Sequence, residues 1–305
     1  MSAHGASPDA RDARPDARDD DLVARLRAAG CVFAEEEAAL LVAEAAHRHP
    51  DHGSGPGAGR DGRAEGLERM VAARVDGEPL ETVLGWAAFA GRRIIVRPGV
   101  FVPRRRTERL ARAAVAAASQ VAHAVVVDLC CGSGAIAAVL ADDAPGAVVH
   151  AADVDPVAVA CAAENLVPRG ASVHQGDLMA ALPATLQGGI DVLVANVPYV
   201  PRAGLDLMPP EARLHEPEAT RDGGVDGLDV LRRVARGSGP WLAPDGLLLV
   251  EVADAQVDAA LDALADAGLE ARVEPGDASE AAVVGDAAAE DEDDGTRVVT
   301  GRRRR

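Results

Sequence analysis

Three stretches of the chain combine residue types at spacings that could bind or activate a small molecule. The first is Asp128-Leu129-Cys130-Cys131-Gly132-Ser133-Gly134, which follows the apolar run Val125 to Leu129 and precedes a helical pattern. Its glycines allow close backbone approach and positive φ, and a helix starting there presents free N–H groups. The second is Asp153, about 20 residues beyond the glycines, at the end of the next apolar run. A carboxylate in that place can accept both hydroxyls of a ribose, so turn and acid together point to a nucleoside-type cofactor. The third is Asn196-Val197-Pro198-Tyr199, directly after the run ending at Ala195. Pro198 removes a donor and stiffens the turn, so the Asn196 side-chain oxygen and the Val197 carbonyl can face one planar NH2 group while Tyr199 forms a flat wall. Taken alone, that stretch reads first as an Asn-x-Pro turn that simply ends a strand.

The positions of these stretches depend on the elements around them. Residues 1–20 lack an apolar period and are expected to form a disordered tail. Leu22, Leu26 and Ala29, then Ala38, Leu41, Val42 and Ala45, then Leu67, Met70, Val71 and Arg74 recur at helical spacing, with a break predicted from Pro50 to Gly62. A small helical domain over 21–85 follows. Branched and aromatic residues between Trp86 and Pro103, punctuated by Gly91 and Pro98-Gly99, predict a β-hairpin linker over 86–106.

From Thr107 to the end the pattern alternates. Helices are predicted near Thr107, over Ala135–Ala141, Pro156–Leu166, Leu228–Arg236 and Val257–Ala267. Strands are predicted over Val125–Leu129, Val148–Ala152, Val192–Ala195, Leu247–Val252 and Arg297–Thr300. Repeated βα units imply an α/β domain over 107–305 with a doubly wound parallel sheet, whose ligand lies beyond the carboxyl ends of the strands. All three chemical stretches fall at such ends.

Composition narrows the class. The 305 residues carry a net charge of −18, and 107–305 hold 32 acidic against 15 basic residues, which opposes a phosphate backbone and argues against nucleic acid as substrate. No uninterrupted apolar run is long enough to span a bilayer, and no apolar signal segment is visible, so no membrane partner and a cytoplasmic address are expected. The four cysteines lack ligand-pair spacing and read as reduced thiols. His47, His49 and His52 with Asp51 sit in a Gly/Pro-rich stretch without a convincing fourth ligand or a supporting shell, and no metal is expected. The acidic run Glu290 to Asp294 reads as a solvated loop, and Arg302 to Arg305 as a flexible tail.

In these motifs the sequence resembles the class I S-adenosylmethionine-dependent methyltransferases, and within them the HemK/PrmC-type protein-(glutamine-N5) methyltransferases. The resemblance covers about residues 22–302. It is carried by Gly77-Glu-Pro-Leu80, Val96 to Arg104 with Thr107-Glu108, Asp128 to Gly134, Asn196 to Tyr199, His215-Glu-Pro-Glu218, and Asp222-Gly-Gly-Val-Asp-Gly-Leu-Asp229. It implies a Rossmann-like seven-stranded domain and S-adenosylmethionine as cofactor. Asp128 and the Cys130-Cys131-Gly132-Ser133-Gly134 loop would hold the methionine side, Asp153 the ribose, and Asp177-Leu178 the edge of the adenine. Asn196, with Val197, Pro198 and Tyr199, would position the substrate amide beside the sulfonium. The implied partner is a class I peptide chain release factor, methylated on the glutamine of its Gly-Gly-Gln tripeptide, with the helical domain helping to dock it.

Three departures from the family pattern stand out. Val197 occupies the place of a proline. Cys130 replaces a glycine, which suits a backbone contact if its φ is negative. Arg105 and Arg106 stand where Pro and Glu are usual after the first arginine. Two other readings share some of these residues: an adenine-N6 amino methyltransferase acting on DNA or RNA, and a non-catalytic S-adenosylmethionine-binding relative.

Overall fold

The computed structural model describes residues 17–50, 58–208, 210–275 and 295–304, and the chain divides into two compact units, Met1–Leu84 and Gly85–Arg305. In the first, helices α1 (Ala17–Ala28), α2 (Ala34–Arg48), α3 (Ala58–Val75) and α4 (Leu80–Leu84) bury Leu22, Leu26, Ala38, Leu41, Ala45, Met70 and Val71. Arg74 and Glu37 form a buried ion pair at 2.6 Å within this core. Two expectations shift here. Residues 17–20 form the first turn of α1. The third helix begins at Ala58, inside the stretch predicted to break: Ala58, Arg60, Arg63 and Ala64 are good helix formers and offset the cost of Gly59 and Gly62. Residues 1–16, and Asp51 and His52 of the histidine group, lie outside the described residues.

The second unit opens with strands β1 (Trp86–Phe89) and β2 (Arg92–Ile95), an antiparallel hairpin. Ala90 and Gly91 both take positive φ at its tip, as a two-residue hairpin turn requires. Then follow α5 (Glu108–Ala118), β3 (Val125–Leu129), α6 (Ala135–Asp143), β4 (Val148–Asp153), α7 (Pro156–Leu166), β5 (Ser172–Gln175) and β6 (Ile190–Ala195). The chain continues through α8 (Pro210–His215), α9 (Asp229–Ser238), β7 (Leu242–Ala253), α10 (Val257–Asp266), β8 (Leu269–Val273) and β9 (Thr296–Arg303).

Seven strands form one sheet in the order β5-β4-β3-β6-β7-β9-β8. Neighbours from β5 to β7 are parallel, but β9 inserts antiparallel between β7 and β8, so the sheet is not wholly parallel as the repeated βα pattern implied. Arg302 and Arg303, expected in a flexible tail, pair with β7 and β8. Strands β5 and β8 escape the sequence reading because both are short and half exposed, with no continuous apolar run. The acidic run Glu290 to Asp294 lies outside the described residues.

Each central strand serves two cores through the alternation of its side chains. Val126, Val192 and Val194 pack with Leu110, Ile136, Leu140 and Leu166. Val127, Leu129 and Leu193 pack with Leu231, Val234, Leu248 and Leu264. Both faces of the sheet are thereby closed by helices, so a ligand can approach only at strand ends. The order reverses between β3 and β6, which leaves a crevice at their carboxyl ends.

Candidate active site

A cavity of about 180 Å³ opens at that reversal point, and the ends of β3, β4 and β6 line it. At one end stands Asp128, on the last turn of β3, 1% exposed. Its Oδ2 accepts a hydrogen bond from the Ala137 N–H at 3.1 Å, whereas Oδ1 has no hydrogen-bond partner. Burial pushes its pKa up to about 8. An orphaned buried carboxylate oxygen on the cavity wall fits a cationic ligand, because the positive charge would supply the missing partner.

The loop after β3 passes beside it. Gly132 takes φ +54 with open space where a Cβ would be, and a Cβ on Gly134 would meet Leu166 at 2.8 Å, so one glycine leaves room for a ligand and the other lets α6 pack on α7. Cys130 has φ +56, so the condition of a negative φ is not met: the turn keeps the left-handed shape a glycine would take, at about 1–2 kcal/mol for an L-residue. Burial, then the neighbouring Asp153 and Asp128, raises the Cys130 thiol, and burial does the same for Cys131. Burial therefore disfavours the thiolate form of both.

Asp153 ends β4 next door. Its Oδ2 accepts from the Gly132 N–H at 2.9 Å and its Oδ1 from the Asp155 N–H at 3.0 Å. These bonds fix the carboxylate at the cavity wall while each oxygen keeps a lone pair for a ligand hydroxyl. Asp177 and Leu178 are not on that wall. The Asp177 carboxylate pairs with Arg233 of α9 at 2.6 Å, and Leu178 packs with the core beside Cys130.

The other end of the cavity is built from loop side chains. Asn196 follows β6, and its Nδ2 donates to Thr107 Oγ1 at 3.3 Å, which leaves Oδ1 as the group to meet a substrate donor. Thr107 lies 3.4 Å from Glu251 Oε1, and the Tyr199 hydroxyl donates to the same oxygen at 3.2 Å. Arg106 Nε approaches it at 3.8 Å and its guanidinium sits 5.9 Å from the Tyr199 ring centre. Glu251, on β7, is 1% exposed. Burial, then the Glu251 charge, pushes the Tyr199 pKa up to about 12, so this phenol is a neutral donor. Glu216 pairs with Arg104; burial nevertheless raises its pKa.

One glycine holds this end together. Gln256 Nε2 donates to the Tyr199 carbonyl at 2.8 Å and to the Asp226 carbonyl at 2.9 Å, tying the Asn-Val-Pro-Tyr turn to the Asp-Gly-Leu-Asp loop. A Cβ on Gly227 would collide with both the Tyr199 carbonyl and the Gln256 amide. On the far side Asn165, 2% exposed, receives the Ile95 N–H at 2.9 Å and donates to the Ser133 carbonyl at 2.9 Å, so it links the hairpin to the glycine loop.

The cavity therefore brings together Asp128, Cys130, Cys131, Gly132, Ser133, Asp153, Asn196, Val197, Pro198 and Tyr199. Sequence reading assigned no role to Asn165, Glu251 or Gln256, polar residues whose partners lie far along the chain. Their only signal was polarity at positions where a strand or helix face should be apolar.

Fold and site define a class I S-adenosylmethionine-dependent methyltransferase. Residues 91–208 match the family described as "Methyltransferase small domain". The chain is 40% identical over 189 residues to the release factor glutamine methyltransferase of Streptomyces coelicolor, covering 61% of this chain and 67% of that protein. It is 36% identical over 231 residues to the ribosomal protein uL3 glutamine methyltransferase of Bradyrhizobium diazoefficiens, covering 71% of each. It is also 38% identical over 186 residues to the 4-amino-L-phenylalanine/4-methylamino-L-phenylalanine methyltransferase of Streptomyces pristinaespiralis, covering 59% of this chain and 63% of that protein. The matched segments of such relatives range from 61% to 72% of their own length. The chain belongs to the HemK/PrmC-type protein-(glutamine-N5) methyltransferase family, and S-adenosylmethionine is its methyl donor.

Proposed function

We propose that the chain methylates the side-chain amide nitrogen of a glutamine in a protein, with the Gly-Gly-Gln glutamine of class I release factors as its target. The observation that carries this reading is Asn196, oriented by Thr107 in the same cavity as the Asp128–Gly134 loop and Asp153. The cofactor supplies an electrophilic methyl group when bound. Asp128, the glycine loop and Asp153 hold it, and Asn196 Oδ1 with the Val197 carbonyl accept the two amide protons of the substrate. An amide nitrogen is a poor nucleophile because its lone pair is delocalised. Two fixed acceptors raise electron density on nitrogen and align it with the methyl group, so the residues act by position and electrostatics. No strong base is needed beforehand, because the proton leaves once nitrogen has become cationic. The helical unit contributes docking of the protein substrate, and the acidic balance of 107–305 counts against an adenine in nucleic acid.

The Streptomyces pristinaespiralis relative favours a second reading, transfer to the amine of a free amino acid. Incubation with labelled S-adenosylmethionine and release factor, followed by peptide mapping, separates the two. Methyl on the Gly-Gly-Gln glutamine supports the first; no transfer to protein, with turnover of an amino-acid amine, replaces it by the second.

A further inference from the structure

At the acceptor end of the cavity arginines outnumber the carboxylates that face them. Arg104, Arg106 and Arg221 line it, and two carboxylates face them: Glu216 pairs with Arg104 and Glu251 lies 3.8 Å from Arg106. Arg221 remains. It is 6% exposed, donates to the Glu216 main-chain carbonyl at 3.1 Å and contacts Met208 Sδ at 3.7 Å, but its Nε has no hydrogen-bond partner. None of the carboxylates among the described residues forms an ion pair with it. Arg106 Nε is also without a hydrogen bond.

Glu216, already paired with Arg104, acts on Arg221 only at longer range, and a long cationic side chain without an ion pair normally extends to water. This one is held inside, on the wall of the reacting cavity, with a donor unused. A backbone carbonyl from a substrate would satisfy the donor but leave the excess of three arginines over two carboxylates, whereas a carboxylate answers both, and the planar guanidinium matches its two oxygens.

We propose that Arg221, with Arg106 on the same wall, receives a carboxylate of the methyl-acceptor molecule, so that this protein selects acceptors with an anion close to the methylated nitrogen. The inference builds on the methyl-transfer reading above and names the substrate class within it. Two sources share this chemistry: an acidic residue beside the target glutamine of a protein, and the α-carboxylate of a free amino acid.

The test is a binding measurement, independent of turnover. The full chain saturated with S-adenosylhomocysteine is titrated calorimetrically with two matched pairs: acetyl-Gln-Asp-amide against acetyl-Gln-Asn-amide, and 4-aminophenylalanine against its carboxamide. The carboxylate member of at least one pair is expected to bind about tenfold or more tightly. Arg221→Gln should erase that preference and Arg221→Lys should retain part of it, with S-adenosylhomocysteine affinity unchanged in both. Equal affinity within both pairs, binding of neither pair, or a preference that survives Arg221→Gln overturns the proposal. A preference confined to the amino-acid pair keeps the carboxylate site and moves the acceptor from protein glutamine to a free amine, so failure of the two readings is distinguishable.

Discussion

At the cofactor end of the cavity the polar groups come from seven consecutive residues, Asp128 to Gly134, and from the aspartate that ends the adjacent strand, whereas at the acceptor end Thr107 meets partners 89 and 144 positions away. The first end relies on backbone N–H groups and one buried acid. The second relies on side chains that converge on Glu251, and their orientation depends on the packing of α5, β6 and β7 together. Backbone geometry tolerates side-chain change, while a converging network fails when any member is lost. The departures from the family pattern fall on both sides of that contrast: Cys130 keeps the shape of its turn at the cofactor end, and Val197 and Arg106 lie at the acceptor end.

Substitutions can break the contrast, beginning with the greatest effect. Asn196→Ala should lower kcat by about 10²–10³, since it removes one preorganised acceptor, while calorimetry finds S-adenosylmethionine affinity within about twofold; parallel loss of both would place Asn196 in the cofactor site instead. Glu251→Gln should cost roughly tenfold to a hundredfold in kcat through misorientation of Thr107 and Tyr199. Loss of cofactor binding in that variant would show that the two ends are not separable.

Asp128 sharpens the comparison through pH. Its folded pKa of about 8 lies above the ordinary value of 3.8, so the folded chain holds a proton there that the unfolded chain releases. Its contribution to stability is full below about pH 4 and is lost as pH rises through 8. Asp128→Asn should flatten that stretch of the stability profile in denaturant titrations. Binding of the cationic cofactor at pH 7 should expel the proton, seen as a calorimetric enthalpy that depends on the buffer's ionisation heat, and absent in Asp128→Asn. The smallest effect concerns Cys130→Gly: relief of the positive φ outweighs the added freedom of the unfolded chain, and stability should rise by about 0.5 kcal/mol in urea unfolding.

Much of the fold was legible because local patterns were unambiguous. Continuous apolar runs marked β3, β4 and β6, and Pro156 marked the first turn of α7, to which the structure adds that the Asp155 carboxylate accepts from the Val157 N–H. Strands β5 and β8 were invisible for the opposite reason: at a sheet margin a strand is stabilised by ladder hydrogen bonds rather than by apolar burial, and composition does not report those bonds. The direction of β9 was equally hidden, since an antiparallel return and a further parallel crossover bury the same valines.

By itself the sequence determined the class of chemistry. Each of Asp128, the glycine loop, Asp153 and Asn196-Val-Pro-Tyr199 follows a strand of legible type, and strand ends in a doubly wound sheet point to one crevice. Only the tertiary structure decided how the acceptor end works: that Thr107 orients Asn196, that Glu251 gathers Thr107, Tyr199 and Arg106, and that Arg221 lies buried on the cavity wall without a carboxylate partner. Those facts depend on which side chains meet across long stretches of chain, and spacing along a sequence carries no record of such encounters until packing has chosen one arrangement.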